Sequence, residues 1–375
     1  MELSECREKI DEIDRQIVAL YEERMKVSES VADYKLTHGM NVLDKTREQE
    51  KIDSVKALTH SEFNSLGIEE LYNHIMSISR KRQYAMMNER GIKGRLPFMP
   101  IDGIDKKDVR VVFQGTDGAY SQEALFEYFG RDVHTFHVDT FRDAMSVIDE
   151  GLADYAVLPI ENSSAGIVSQ NYDLLVEFEN YIVAEQVISI RHCLLGLPGT
   201  GEENIRKVYS HPQAILQCGK YLDGHRHMTA CPVENTAVAA KKIVEDQDPQ
   251  QAAIAGRHCA ELYGLEILKE DINFSAVNST RFIIVTNQKV FVKDANKVSI
   301  CFEIPHRSGS LYHILSHFYY NDLNMNRIES RPLTDRPWEY RFFIDFDGNL
   351  SDSPVKNALH GLREETVNMK ILGNY

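Results

Sequence analysis

The first 90 residues contain no proline. Proline is the residue that most strongly interrupts a helix, because it lacks an N–H and its ring strikes the preceding turn. The segment reads as helix almost throughout. Residues Arg7, Ile10, Asp14, Ile17, Tyr21, Arg24, Ser28, Val31 and Lys35 recur at alternating spacings of three and four, which places them on one stripe of a helix. Gly39 is a plausible stop. The pattern predicts a second helix from Asp44 to about Leu58 and a third from near Ile68 to about Asn88.

Composition then changes. RGIKGRLPFMPIDGIDKKD (90–108) holds three glycines and two prolines and reads as a linker. From Val109 short apolar runs (VRVVF, YAVLPI, YIVAEQVISI, KVYS, AAIAG, FIIV) alternate with helical segments such as SQEALFEYF, HPQAILQCGKYL and NTAVAAKKIVE, which argues for an α/β domain. The run before LPGTGEEN (197–204) suggests a break between two lobes. From Lys297 the order reads β-α-β-β-α-β, the ferredoxin-like arrangement. Domains are therefore expected over 1–90, 109–287 and 297–375, with 91–108 as linker.

A chain of 375 residues with 43% apolar and 26% charged residues is ordinary for a soluble protein of two or three domains. No stretch approaches the ~20 apolar residues that span a bilayer, and the charged start MELSECREKIDEIDRQ has no apolar signal core. A cytoplasmic protein is expected, with no membrane partner. That removes a glycosylation reading of the sequons at Asn162 and Asn278. The six cysteines are scattered without a C-x-x-C, so neither a zinc site nor a disulfide framework is suggested. A net charge of −15 argues against nucleic acid, and an acidic protein binding an acidic substrate must concentrate its cations locally.

Such a concentration stands in the first segment. Arg7, Arg24 and Lys35 share the stripe with Ile10, Ile17 and Val31, and Asp44, Arg47 and Glu48 follow. A solvated coiled-coil flank would explain the cations. Against it, cations on a core-facing stripe need anionic partners. At a rise of about 1.5 Å per residue, Arg24 and Lys35 lie about 16 Å apart, close enough to grip one small ligand. Arg7 is roughly 25 Å from Arg24 and would have to serve a second site, most naturally that of a two-fold partner. These residues resemble the all-helical chorismate mutases: Arg7 in CREKIDEID, Arg24 in EERMKV, Lys35 in DYKL, Asp44, Arg47 and Glu48 in LDKTREQE, and Ser79 with Gln83 in SISRKRQ. The resemblance implies that arginines clamp the two carboxylates of chorismate while Lys35 and Gln83 donate to its ether oxygen. A Claisen rearrangement needs no nucleophile, proton transfer or metal. It needs a folded conformer and donors where charge grows on the breaking C–O bond.

In the middle segment, PIENSSAG (159–166), SHPQA (210–214) and NSTRF (278–282) put polar residues beside apolar runs. Each alone is consistent with a cap or turn, Ser163 and Ser210 included; three together suggest a shared pocket at strand ends. His211 and His258 are possible acids. There is no G-x-S-x-G, H-E-x-x-H or Walker loop, and GTDGAYS lacks a nucleotide pattern. With GAYSQEA, ENSSAGIV, SHPQA and the TRF triplet, 109–287 is similar to the prephenate dehydratases. The likeness implies a two-lobed, periplasmic-binding-protein-like α/β fold. It implies substrate contacts from Asn162, Ser163, Gln213, Arg281 and Phe282, and Thr280 assisting loss of the ring hydroxyl as carbon dioxide leaves. Arg281 would suit a carboxylate.

The last segment resembles a phenylalanine-sensing ACT domain, with ESRP (Glu329, Ser330, Arg331, Pro332) intact. The Gly-Ala-Leu-Val motif of that family departs here to Gly309, Ser310, Leu311 and Tyr312, the tyrosine larger than valine. Together the resemblances imply a bifunctional chorismate mutase–prephenate dehydratase without cofactor or metal, its substrates chorismate and prephenate and its effector L-phenylalanine, acting as a homodimer or dimer of dimers. Two alternatives stay open: a dehydratase acting on arogenate, and a catalytically silent amino-acid-sensing binding protein.

Overall fold

The computed structural model describes residues 2–90, 96–275, 277–304, 306, 309–333 and 336–375. Residues 91–95 of the expected linker and Ser308 of SGSLY fall outside them. The chain divides into two compact units, one of Met1–Phe98 with Asn296–Ile371 and the other of Met99–Ala295 with Leu372–Tyr375.

The helical part of the first unit is α1 (Leu3–Thr37), α2 (Lys45–Lys56) and α3 (Glu62–Glu89). Asp44 caps α2, its carboxylate accepting the Arg47 N–H at 3.0 Å. Helix α3 starts six residues before the expected Ile68, because the Ser61 hydroxyl accepts the Asn64 N–H at 3.2 Å and caps a turn that the Asn, Ser and Gly of NSLG obscure in the sequence. Met76, Tyr84 and Met86 of α3 are buried, as are Ile52 and Val55 of α2. Helix α1 behaves differently. Only Ala32 is fully buried, and Ile10 and Ile17 are each 56% exposed. The stripe that faces a core from Arg24 onward is bare in its first half.

The second unit runs β1 (Met99–Ile101), β2 (Arg110–Gln114), α4 (Tyr120–Phe129), β3 (His134–Val138), α5 (Phe141–Asp149), β4 (Tyr155–Asn162), β5 (Gly166–Ile167), α6 (Ser169–Glu177), β6 (Tyr181–Ser189) and β7 (His192–Gly196). It continues with β8 (Lys207–Ser210), α7 (Pro212–Gln217), α8 (Gly219–Gly224), β9 (Thr229–Pro232), α9 (Thr236–Asp246), β10 (Gln251–Gly256), α10 (Arg257–Tyr263), β11 (Glu266–Lys269), β12 (Ser279–Thr286) and β13 (Val290–Val292). Two sheets form two lobes, ordered β6-β12-β4-β2-β3 and β11-β7-β10-β8-β9. Val111, Phe113, Leu125, Val157 and Ile284 centre the first lobe's core; Leu195, Ala240 and Ala253 centre part of the second's. The chain crosses between lobes at Ile190–Arg191, not at LPGTGEEN, which follows β7. The crossing is marked only by the polar pair Arg191 and His192 between YIVAEQVISI and CLLG, a slighter signal than the glycines of LPGTGEEN. HPQAILQCGKYL is two short helices that meet at Cys218.

The rest of the first unit is β14 (Lys297–Glu303), α11 (Ser310–Tyr319), β15 (Met325–Pro332), β16 (Tyr340–Asp347), α12 (Ser353–Glu365) and, as far as Ile371, β17 (Val367–Asn374). The strand order β17-β14-β16-β15 and the antiparallel β14/β16 and β15/β16 pairs match the ferredoxin-like expectation. Among the described residues no helix is long and apolar enough to cross a membrane.

Candidate active sites

In the first unit a cavity of about 260 Å³ opens among the three helices. Helical spacing aims its walls. Arg24, Ser28, Val31 and Lys35 come from one face of α1, and Met76, Ser79, Arg80 and Gln83 from one face of α3. Asp44, Arg47 and Glu48 come from the capped start of α2. The cations are held in place: Arg24 Nη1 donates to Ser79 Oγ at 2.9 Å, and Lys35 Nζ to the Val42 carbonyl at 2.5 Å. Gln83 is 6% exposed, donates to Ser28 Oγ at 3.2 Å, and has no described partner for its amide oxygen. Four cations around one small cavity in a chain of net charge −15 suit a dianion. Seven of the eight expected residues meet here. Arg7 does not; it is exposed on α1, seventeen positions before Arg24.

In the second unit a cavity of about 290 Å³ is lined by residues of both lobes. Strand β12 runs between β4 and β6. The pleat turns Thr280 and Phe282 into the cavity and Arg281 to the other face. There Arg281 sits 3.2 Å from Glu185 and 3.3 Å from Glu161, between two carboxylates of its neighbouring strands. The structure thus places Arg281 outside the cavity lining. The Asn162 amide, opposite Thr280 on β4, donates to Thr280 Oγ1 (2.9 Å), Asn278 Oδ1 (3.0 Å) and the Ser279 carbonyl (3.1 Å). Its own oxygen accepts from Ser164 N, Ser164 Oγ and Ala165 N at 2.8–3.0 Å. Thr280 Oγ1 accepts from Asn162, which leaves its own proton available to donate to a ligand in the cavity.

The network continues through the cavity wall. Gln217 donates to Ser164 Oγ (2.6 Å) and accepts from Asn278 (3.1 Å); His192 Nε2 lies 2.9 Å from Gln217 Oε1, and the Tyr120 hydroxyl 3.0 Å from His192 Nδ1. Burial lowers the His192 pKa, outweighing the Gln217 bond, so the ring is neutral near neutral pH. Burial also pushes the Tyr120 phenol well up, with Glu123 adding to it, so it stays a donor. Among the described residues no lysine or arginine lines this cavity. Instead α4 and α9 begin at its wall, through Ala119 to Ser121 and Asn235 to Thr236, and helix N-termini favour anions.

Gln213 lines the cavity as expected, with His211 beside it. His211 caps α7 by accepting the Gln213 N–H, while Ser210 is buried and donates to the Ile254 carbonyl. Ser163 caps no helix. It is exposed, accepts the Ser279 N–H at 3.0 Å and donates to the Val277 carbonyl, pinning the entrance of β12. His258 stands apart, 3.0 Å from Glu123 with Nε2 on the Gly118 carbonyl; burial would lower its pKa, but Cys259 and Glu123 raise it to about 10.

Sequence reasoning missed Arg80, Tyr120, His192 and Gln217. Tyr120 stands inside the quoted GAYSQEA, and Gln217 follows Gln213 by one helical turn; the lone His192 carried no signal. In the C-terminal part, Gly309 takes a left-handed φ of 78° and leads into α11 at Ser310 and Leu311. Glu329 to Pro332 end β15, the edge strand, with Ser330 and Pro332 exposed.

The two cavities fall within two family matches. Residues 6–84 match the chorismate mutase type II model, and 111–290 the prephenate dehydratase model. The bifunctional chorismate mutase/prephenate dehydratase of Escherichia coli (strain K12) is 32% identical over 98% of this chain and 95% of its own length. That of Aquifex aeolicus (strain VF5) is 31% identical over 100% and 98%. A crystal structure of prephenate dehydratase from Arthrobacter aurescens, in complex with L-Phe, superposes with a TM-score of 0.67 at 32% identity, over 71% of this chain and 89% of that one. One chain that carries both models, and that aligns end to end with enzymes having both activities, belongs to the bifunctional chorismate mutase/prephenate dehydratase family.

Proposed function

We propose that the cavity of the three helices rearranges chorismate to prephenate, and that the cavity beside β12 converts prephenate to phenylpyruvate. The observation that carries the assignment is the chemical contrast between them. The first gathers Arg24, Lys35 and Arg47 around Gln83. Bidentate arginines fold a dicarboxylate into a reactive conformer, and Lys35 with Gln83 stabilises charge on the ether oxygen. Asp44 holds the start of α2, Glu48 offers an acceptor at the cavity edge, and Ser79 orients Arg24. Among the described residues the second cavity has no lysine or arginine; its polar groups are amides, hydroxyls, neutral imidazole and helix N-termini. There Thr280 donates towards the departing hydroxyl while carbon dioxide leaves and the ring becomes aromatic. A threonine is a weak acid, but aromatisation drives the step, so hydrogen-bond donation suffices. Phe282 gives the ring an apolar wall, and Gln213 and Asn162 orient the substrate. Ser163 and Arg281 act on the frame of β12.

The rearrangement site is completed by Arg7 of a second copy. Supporting this, Arg7 is exposed and the first half of α1 leaves Ile10, Ile13 and Ile17 uncovered. A second copy also fits the effector site: Gly309, Ser310 and Leu311 open α11, and Glu329 to Pro332 lie on an edge strand. L-phenylalanine bound there shifts the enzyme towards its less active state.

The test supplies chorismate, prephenate or arogenate separately, with and without L-phenylalanine. Chorismate and prephenate should each yield phenylpyruvate, and phenylalanine should slow the yield. Turnover of arogenate to phenylalanine in preference to prephenate would overturn the substrate assignment, and no turnover of any would leave only a binding protein.

A further inference from the structure

Arg80 follows Ser79 on α3 and is 8% exposed. Its guanidinium serves two carboxylates at once. Nη1 donates to both Glu48 oxygens at 2.6 Å, and Nη2 donates to Glu365 Oε1 at 2.8 Å. Glu48 stands at the edge of the chorismate cavity. Glu365 is the last residue of α12, and its second oxygen lies 3.3 Å from His317 of α11. The neighbouring Lys81 donates to Ser316 of α11 at 2.8 Å, and the Tyr84 hydroxyl to Glu364. One turn of α3 thus grips both helices of the ferredoxin-like part. A third cavity, of about 350 Å³, lies at this junction, between Glu48 and Arg80 on one side and Ser310, His313 and Glu365 on the other.

We propose that Arg80 is a positioning residue of the rearrangement, fixing the Glu48 carboxylate at the cavity edge, and that Glu365 acts on the rearrangement through the same guanidinium. The proposal rests on the placement of chorismate at this cavity. A guanidinium fork grips a carboxylate best with two nitrogens. Here the fork is divided, one arm to each glutamate. A displacement of α12 that keeps the charged Glu365 contact pulls the guanidinium through Nη2, and the Glu48 carboxylate held on Nη1 shifts with it, because breaking a buried ion network is costly. Since α11 starts at Gly309 and Ser310 and touches Glu365 through His317, an effector that moves α11 has a short physical route to Glu48. An ion pair that merely joins α3 to α12 would show the same contacts but not the same couplings.

The experiment measures both activities of the full chain. Arg80→Gln should lower mutase kcat/KM by about tenfold or more and leave dehydration within about twofold, with the helical circular dichroism and urea midpoint of the variant showing that its first unit folds. Glu48→Gln should cost the mutase step similarly, and the Arg80→Gln, Glu48→Gln double variant should be no worse than the poorer single variant, because one residue acts through the other. Multiplying losses would overturn the positioning role. Glu365→Gln leaves the Arg80–Glu48 contact in place. It should keep basal mutase activity within about twofold and abolish the mutase response to L-phenylalanine while dehydration stays sensitive. A mutase response equal to that of the wild type, or a wild-type mutase indifferent to phenylalanine, would overturn the coupling. Absence of any chorismate turnover by the wild type would instead refute the substrate assignment.

Discussion

Replacing Thr280 by valine keeps the side-chain shape and removes one hydroxyl. Two consequences can be separated. The first is structural: Asn162 loses one acceptor at 2.9 Å but keeps Asn278 Oδ1 at 3.0 Å and the Ser279 carbonyl at 3.1 Å. Its oxygen still receives Ser164 and Ala165. The amide therefore stays oriented, and the stability cost should be about 1 kcal/mol. The second is catalytic. Asn162 donates to Thr280, so the threonine proton is the donor available to the departing hydroxyl. A single donor aimed at charge that develops in the transition state is worth about 3–4 kcal/mol, or about 10²–10³ in rate. Dehydratase kcat should fall by that factor with little change in KM, because the bond strengthens only in the transition state. The assay follows phenylpyruvate formed from prephenate, with the mutase activity of the same chain as internal control. A dehydratase kcat within about threefold of the wild type would refute the reasoning and remove Thr280 from the chemistry.

Other outcomes follow from the same geometry. Gln83→Glu should make the mutase acid-dependent, since a carboxyl donates only when protonated; kcat should fall about tenfold per pH unit above the new group's pKa, and a pH–rate profile like that of the wild type would contradict the donor role. Mixing Arg7→Ala with Gln83→Ala chains, each inactive alone as a mutase, should restore roughly a quarter of wild-type activity. Half of randomly paired dimers are mixed, and each mixed dimer has one intact site; no recovery after subunit exchange would argue against sharing. Burial raises the Glu365 pKa, but His317 and Arg80 outweigh it and bring it from 4.5 to about 2. Its contribution is complete above about pH 4.5 and lost as the pH falls towards about 2, amounting to about 3 kcal/mol. Urea titrations at about pH 5 and about pH 3 should show a smaller loss for Glu365→Gln than for the wild type.

What the sequence disclosed depended on periodicity. Arg24 and Lys35 were legible because helical spacing of three and four brings them to one stripe, whereas Asp44, Glu48, Ser79 and Gln83 were found through the resemblance to the chorismate mutases. Thr280 and Asn162 were legible because polar residues beside an apolar run need a reason. The illegible parts lie where distant segments meet. His192, Gln217 and Asn278 are joined into one network only by the folding of both lobes around the cavity. Arg281 was misjudged because adjacency in a strand means opposite faces. Arg80 looked like one cation in the run SRKRQ; its meaning depends on Glu365, 285 positions away. The crossing between lobes was overlooked because its mark, the pair Arg191 and His192, is slight beside the Gly-rich LPGTGEEN.

The central claim is that rearrangement and dehydration take place at two separate sites, each able to work when the other is disabled. A mixture of Gln83→Ala and Thr280→Val chains, given chorismate alone, tests it directly. Neither variant alone should make phenylpyruvate at more than a small fraction of the wild-type rate, whereas the mixture should make it through free prephenate. A mixture that produces none, or either single variant producing it at the wild-type rate, would contradict the account.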